Sequence, residues 1–217
     1  MNFIGYIPLL IKGTAITFAS WVMAGCISFS LGTLLGIISC RQIGLLGISM
    51  VIKGYVFIAK GIPAYVQILI AYFILPSLIG INISGFIAAT IALAFCSSGY
   101  IVEITRAGIN TISRGQWDAC FVLGYSMHAT LYRIIMPQVM RNVLPPLFGE
   151  LEQLLKSTSL LATIGVTELT RTGMNIISRE LNPLPVYLAI ACIYLLFSAI
   201  LQLILIYIEI KVNHDYR

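Results

Sequence analysis

Long stretches of this chain contain no charged residue. Three of them run from residue 13 to 40, from 61 to 102 and from 181 to 208. A helix of about 20 mainly apolar residues can cross a hydrocarbon core about 30 Å thick. The first and last stretches therefore predict one span each, and the middle stretch is long enough for most of two. Pro76, Ser77, Gly80 and Asn82 mark the turn between those two spans.

A further span is predicted in a more polar part of the chain, which makes about five transmembrane helices and an all-α membrane protein. The predicted spans are 14–39, 55–78, 86–104, 142–166 and 184–207. We expect residues 12–208 to form the transmembrane domain, 1–11 a short N-terminal segment and 209–217 a C-terminal tail. The first residues lack the basic start of a signal peptide, so they are expected to remain as the first anchor.

Composition agrees with a protein embedded in lipid. Hydrophobic residues fill 59% of the 217 positions and charged residues 10%, and the mean hydropathy is +0.97. A soluble domain carries about a quarter charged residues. The net charge of +5 is spread without a cluster of basic and aromatic side chains, so we expect no nucleic-acid partner.

The basic residues predict an orientation with the N-terminus outside and the C-terminus in the cytoplasm. Cytoplasmic loops are usually the ones enriched in Lys and Arg. Five crossings then leave Lys12, Arg171 and Arg179 outside, with Lys60 and Lys156 near or within spans. The basic residues placed inside are Arg41, Lys53, Arg106, Arg114, Arg133, Arg141, Lys211 and Arg217.

One polar segment, from Gly115 to Gly124, interrupts this lipid-adapted chain. A short helix is predicted to start at Gln116 and to stop at Gly124, because glycine adopts the left-handed conformation that ends a helix. Ser126 can cap a second helix, which Pro137 must interrupt or kink. Ala119 and Cys120 are expected on the outer face, and the two helices then form a knob that fits a groove on a soluble partner.

Charged and hydroxyl side chains near the fourth span are candidates for a translocation path. Charges inside a span usually face a bundle interior or a water-filled path. Glu152 and Lys156 are four residues apart and can pair on one helix face, whereas Glu150 or Glu152 can instead meet the ammonium group of a substrate. Thr158 and Ser159 either line the path or bond back to helix carbonyls.

Three charged residues near the cytoplasmic ends of the spans have mainly structural interpretations. Glu103 and Arg106 lie three residues apart and are expected to pair along one helix. Lys60 is expected to extend its ammonium group toward the cytoplasmic headgroups.

No catalytic or metal-binding pattern is present. The chain has no GxxxxGK[ST] phosphate loop and no HExxH pair, and its five cysteines are scattered without CxxC spacing. We therefore expect no catalytic residue, no metal site and no cofactor in this chain. Energy for any transport must come from a partner or an ion gradient.

Several short motifs occur in a fixed order along the chain. They are Lys60-Gly61-Ile62-Pro63, then Asp118-Ala119-Cys120 with Gly124 four residues on, together with Tyr100, Glu103, Arg106, Gly115, Gln116, Pro137, Gln138, Lys156, Thr158, Ser159 and Leu160. This order resembles the transmembrane permease subunits of bacterial ABC importers, in particular the polar amino-acid branch that carries histidine, glutamine or arginine. The family has Glu-Ala-Ala where this chain has Asp118-Ala119-Cys120, and that branch has Arg-Gly-Thr-Pro at Lys60-Gly61-Ile62-Pro63.

The resemblance implies a type I importer fold in the bacterial plasma (inner) membrane, with the knob acting as a cytoplasmic coupling helix. Asp118, Ala119, Cys120 and Gly124 would contact an ATP-binding subunit, which would hold ATP and Mg. The further implied partners are a second permease subunit, a copy or a homologue, and an extracytoplasmic solute-binding protein. The function implied is ATP-driven import of polar amino acids.

Two other transport functions stay open. An ion-coupled secondary transporter also accounts for carboxylates in spans, but it leaves the segment from Gly115 to Gly124 unexplained. An ABC permease for a different small solute shares that segment.

Overall fold

A computed structural model describes residues 3–41 and 46–214, and these are almost entirely helical. A short 3-10 turn, Phe3–Tyr6, leads into the first helix. The α-helices are α1 (Ile7–Ile38), α2 (Leu46–Gly61), α3 (Ala64–Leu69), α4 (Leu75–Ile79), α5 (Gly85–Asn110), α6 (Arg114–Val122), α7 (Met127–Ala129), α8 (Met136–Ser157), α9 (Leu169–Glu180) and α10 (Pro183–His214). A π-helical segment, Ile70–Ile74, joins α3 to α4, and another, Thr130–Ile135, joins α7 to α8.

The predicted all-α membrane fold is confirmed. Within the described residues, α1, α5 and α10 are each long and apolar enough to cross a membrane, and the α2 to α4 region adds a fourth span if its two bent parts count as one. The predicted span 142–166 is helical through α8 and the 3-10 helix Thr158–Ile164. Its charged residues keep it below the apolarity of the other spans.

The predicted span 55–78 is not one straight helix. The chain bends by 97° between α2 and α3, at Ile62 and Pro63. Proline has no backbone N–H and disfavours helical geometry at the residue before it. The side-chain amide of Gln67 donates to the carbonyl oxygens of Ala59 (2.8 Å) and Ile62 (2.7 Å), so it satisfies acceptors that the broken helix leaves open.

Small residues let α1 and α5 approach closely, over the most extensive helix contact in the described part of the chain. Gly32 lies against Ile101, and Gly36 lies against Thr105. Membrane helices gain little from apolar burial against each other, so close van der Waals packing through small residues stabilises their contact. The indole N–H of Trp21 also donates to the carbonyl of Leu151 at 2.8 Å, which ties α1 to α8.

A buried carboxylate joins α1, α9 and α10. Glu168 accepts hydrogen bonds from the backbone N–H groups of Thr170 (2.9 Å) and Arg171 (2.7 Å), and so caps the start of α9. The hydroxyl groups of Thr17 on α1 and Tyr194 on α10 also donate to it, each at 3.3 Å. This one side chain therefore holds three helices at the end of the bundle where α1 begins.

Candidate functional site

The segment from Gly115 to Gly124 folds as its sequence predicts at both ends. Its helix, α6, begins at Arg114, two residues before the predicted start, and Gly124 follows it with φ +74°. The backbone N–H of Tyr125 donates to the carbonyl of Cys120 at 3.0 Å, which closes the last turn. Ser126 Oγ accepts from the N–H of Ala129 at 3.2 Å, as expected of a helix cap.

Pro137 does not end the second helix but coincides with a change of helix type. It lies in the first turn of α8, directly after the π-helical segment Thr130–Ile135. The wider π turn accommodates a residue that cannot donate the regular helix hydrogen bond.

The outer face of α6 differs from the prediction. Asp118 and Ala119 are exposed as expected, but Cys120 is only 4% exposed, so its predicted place on the outer face is wrong. Trp117 is also buried, and it packs into a cluster with Ile109 of α5 and Ile135. This contact sets the rotation of α6 and turns Cys120 toward the protein.

Sequence reasoning missed the most exposed apolar residues of the segment. Phe121, Val122 and Leu123 are 83%, 83% and 73% exposed, and we call these three residues the apolar tip. Contiguous exposed apolar surface away from lipid is typical of a protein interaction site. The run of three large apolar residues directly before Gly124 was the signal available in the sequence.

A second group of polar residues lies between α2, α5 and α8. A cavity of about 290 Å³, which we call the polar cavity, is lined by Lys60, Ser97, Tyr100, Glu150 and Gln153, among other residues. Lys60 forms an ion pair with Glu103, and its ammonium nitrogen lies 4.8 Å from the centre of the Tyr100 ring.

These contacts bear on two predictions. The ammonium group of Lys60 has partners within the chain, Glu103 and the Tyr100 ring, while its extension toward the headgroups stays a prediction. Glu103 pairs with Lys60 on another helix and not with Arg106 on its own helix. The two partners are 43 residues apart, so only the tertiary fold brings them together.

Of the residues proposed for a translocation path, only Glu150 lines the polar cavity. Glu152 and Lys156 pair with each other at 2.7 Å, as expected for residues four apart on one helix. Both hydroxyls bond back to their own helix: Thr158 donates to the carbonyl of Leu155 at 2.6 Å and Ser159 to that of Lys156 at 2.8 Å. Each hydroxyl proton is thus donated to a carbonyl of the preceding turn.

No group of three or more His, Cys, Asp or Glu side chains that could hold a metal ion occurs in residues 3–41 and 46–214.

Comparisons with known proteins agree with this architecture. The family of binding-protein-dependent transport system inner membrane components matches residues 32–214. The glutamine transport system permease protein GlnP of Escherichia coli (strain K12) is 34% identical over 200 residues, which cover 92% of this chain and 90% of the relative. The arginine transport system permease protein ArtQ of Bacillus subtilis (strain 168) is 31% identical over 198 residues, with 91% and 90% covered.

Two solved structures share the fold. An amino acid ABC transporter crystallised with histidines has a TM-score of 0.86 and 30% identity, and 97% of each chain is covered. The MetNI methionine ABC transporter in an inward-facing form has a TM-score of 0.83 at 16% identity, with 96% of this chain and 98% of that chain covered. The family match, the similarity to GlnP and ArtQ, and the shared fold each cover most of this chain. The chain therefore belongs to the inner membrane components of binding-protein-dependent transport systems.

Proposed function

We propose that this chain is the membrane-spanning permease subunit of an ATP-driven importer that moves polar amino acids into the cytoplasm. Family membership supports the transport role, and the relatives named for glutamine and arginine transport support the substrate class. The observation that carries the proposal is the knob at α6, where an apolar tip stands exposed beside a left-handed glycine. A surface of this kind is expected to be covered by another protein.

The covering protein is an ATP-binding subunit, which holds ATP and Mg. Asp118, Ala119 and Gly124 contact its groove together with the apolar tip. Cys120 is buried, so it contributes indirectly: its packing helps to hold α6 in the observed rotation. A second permease subunit and an extracytoplasmic solute-binding protein complete the importer.

The orientation proposed is N-terminus outside and C-terminus cytoplasmic. Arg114 and Arg133 flank the knob on this chain, and Lys211 lies near the end of α10. In this orientation Arg114, Arg133 and Lys211 lie on the cytoplasmic side of the membrane, as the positive-inside rule expects.

The polar cavity is the proposed site of the amino acid in transit. Its lining contains one positive group, Lys60, and one negative group, Glu150. Glu103 lies outside the lining and already neutralises Lys60, so Glu150 leaves an excess of one negative charge. A cationic or zwitterionic amino acid offsets this excess, because its ammonium group or side-chain cation meets a carboxylate in a region of low dielectric.

Uptake into vesicles that contain the reconstituted importer tests the proposal, with arginine, glutamine and glutamate as substrates. We expect uptake to require ATP and to favour arginine or glutamine over glutamate. Glu150→Gln removes the excess charge and should weaken this preference. Glu152→Gln is the matched control, because Glu152 is already neutralised by Lys156.

Three results would contradict the proposal. Uptake that runs without ATP on an ion gradient identifies a secondary transporter. Failure of all three amino acids, with uptake of another solute, contradicts the substrate class. An unchanged preference in Glu150→Gln removes Glu150 from the path.

A further inference from the structure

A cationic cavity lies at the end of the bundle where α1 begins, well away from both the knob and the polar cavity. It has a volume of about 230 Å³ and lies between α1 and α9. Lys12 and Arg179 supply its charge, and Thr172 and Asn175 supply polar groups. No carboxylate lines it, and neither cation forms an ion pair with a described residue. These groups favour an anionic ligand.

An apolar groove of about 570 Å³ shares Lys12 and Thr167 with this cavity. On α1 it is lined by Lys12, Ala15, Ile16 and Ala19, a spacing that places all four on one helix face. Seven residues of helix extend about 10 Å. Phe86 and Val166 also line it. The groove therefore leads away from the cations along the membrane-spanning part of α1.

The combination has the shape and chemistry of a lipid site. The phosphate group of a lipid can lie beside Lys12 and Arg179 in the cationic cavity while one of its acyl chains lies along Ala15 and Ala19 in the apolar groove. A soluble anion would use the cations alone, and an acidic protein segment would leave the apolar groove uncovered. Basic residues are also less frequent at the outer end of spans, and two of them around one cavity attract a negative charge.

We propose that this cavity and groove bind one anionic phospholipid of the outer leaflet. The leaflet follows from the orientation proposed above, whereas lipid binding itself does not depend on transport. The bound lipid fills the space between α1 and α9, next to the helix junction at Glu168.

Native mass spectrometry of the purified full-length chain tests the proposal, with phosphatidylglycerol and phosphatidylcholine of identical acyl chains as probes. We expect one phosphatidylglycerol to bind in preference to phosphatidylcholine. Lys12→Gln and Arg179→Gln should each weaken phosphatidylglycerol binding about fivefold, as is typical for one cation removed beside an anionic membrane surface. Arg171→Gln is the matched control, since it removes a charge from α9 outside the cavity.

A second variant tests the groove without changing charge. Ala19→Trp fills the groove, and because Ala19 is exposed the larger side chain is tolerated by the fold. It should weaken phosphatidylglycerol binding. In the unaltered chain, glycerol 3-phosphate, which has no acyl chains, should compete poorly with phosphatidylglycerol.

Several outcomes would overturn the proposal. These are equal binding of the two lipids, an equal loss in Arg171→Gln, and equal competition by glycerol 3-phosphate, which would show an anion site without a groove. Conversion of a dimer to a monomer by Ala19→Trp would place a second copy of the chain in the groove. If Ala19→Trp does not fold, the Lys12 and Arg179 variants still decide the question.

Discussion

Gly32→Ala is expected to separate the two helices that form the centre of this fold. A Cβ atom at Gly32 would lie 2.6 Å from Cβ of Ile101 and 2.9 Å from the carbonyl oxygen of Ser98. Carbon atoms in contact lie about 3.5–4.0 Å apart. Neither a backbone oxygen nor a Cβ atom can rotate away, so α1 and α5 must move apart by roughly 1 Å.

Two effects of opposite sign determine the magnitude. Overpacking of this kind typically costs about 1–3 kcal/mol, whereas replacing a helical glycine by alanine stabilises by roughly 0.5–1 kcal/mol. We therefore expect Gly32→Ala to lower the free energy of unfolding by about 1–2 kcal/mol. Gly54→Ala is the matched control, because a Cβ atom there meets no atom within 4 Å.

The assay is the apparent unfolding midpoint of each purified protein in a mild detergent, followed by gel filtration after heating. The midpoint of Gly32→Ala should fall, and that of Gly54→Ala should stay or rise. A Gly32→Ala protein as stable as the unaltered one would refute the close approach of α1 and α5. Equal destabilisation by both substitutions would show that the effect is not one of packing.

Three more tests concern Gly124, the pair of Lys60 with Glu103, and Glu168. Gly124→Asp should leave membrane abundance unchanged but abolish stimulation of ATP hydrolysis, because it adds charge beside the apolar tip at a φ of +74° that Asp and Asn both adopt. Gly124→Asn should therefore retain stimulation; equal loss in both would contradict the charge argument. Lys60→Met should lower abundance by leaving Glu103 unpaired, and Lys60→Met with Glu103→Gln should restore it; no restoration would refute the pairing. Glu168→Ala should lower the free energy of unfolding by about 1 kcal/mol through loss of the α9 cap, and an unchanged unfolding midpoint would contradict that role.

Features set by local chemistry could be predicted from the sequence. The charge-free stretches predicted α1, α5 and α10 because lipid requires long apolar helices. Gly124 and Ser126 were identified because helix ends depend on the conformation and hydrogen bonding of one or two residues. The pairing of Glu152 with Lys156 follows from helix geometry alone.

Features set by tertiary contacts could not be predicted from the sequence. The rotation of α6, and with it the burial of Cys120, depends on Trp117 packing against α5. The partner of Glu103 is on a different helix, so spacing along α5 suggested Arg106 instead. Glu168 gave little signal because Glu is not among the residues usually preferred at a helix cap.

The break at Pro63 was visible in the sequence, but the surrounding apolar run outweighed it. A proline within a predicted helix ends or kinks it at the preceding residue. The apolar residues on both sides fit one span by length and composition, and the 97° bend appears only in the fold.

Co-purification of the permease with its ATP-binding subunit, with the rate of ATP hydrolysis as readout, tests the central claim most directly. Phe121→Ala truncates the apolar tip, and Phe57→Ala is the matched control because Phe57 is 80% exposed on α2, away from the knob. The account predicts that Phe121→Ala loses the ATP-binding subunit and its stimulated hydrolysis, while Phe57→Ala keeps both. Retention of the subunit and of full stimulation by Phe121→Ala would contradict the proposal that the knob couples this chain to ATP.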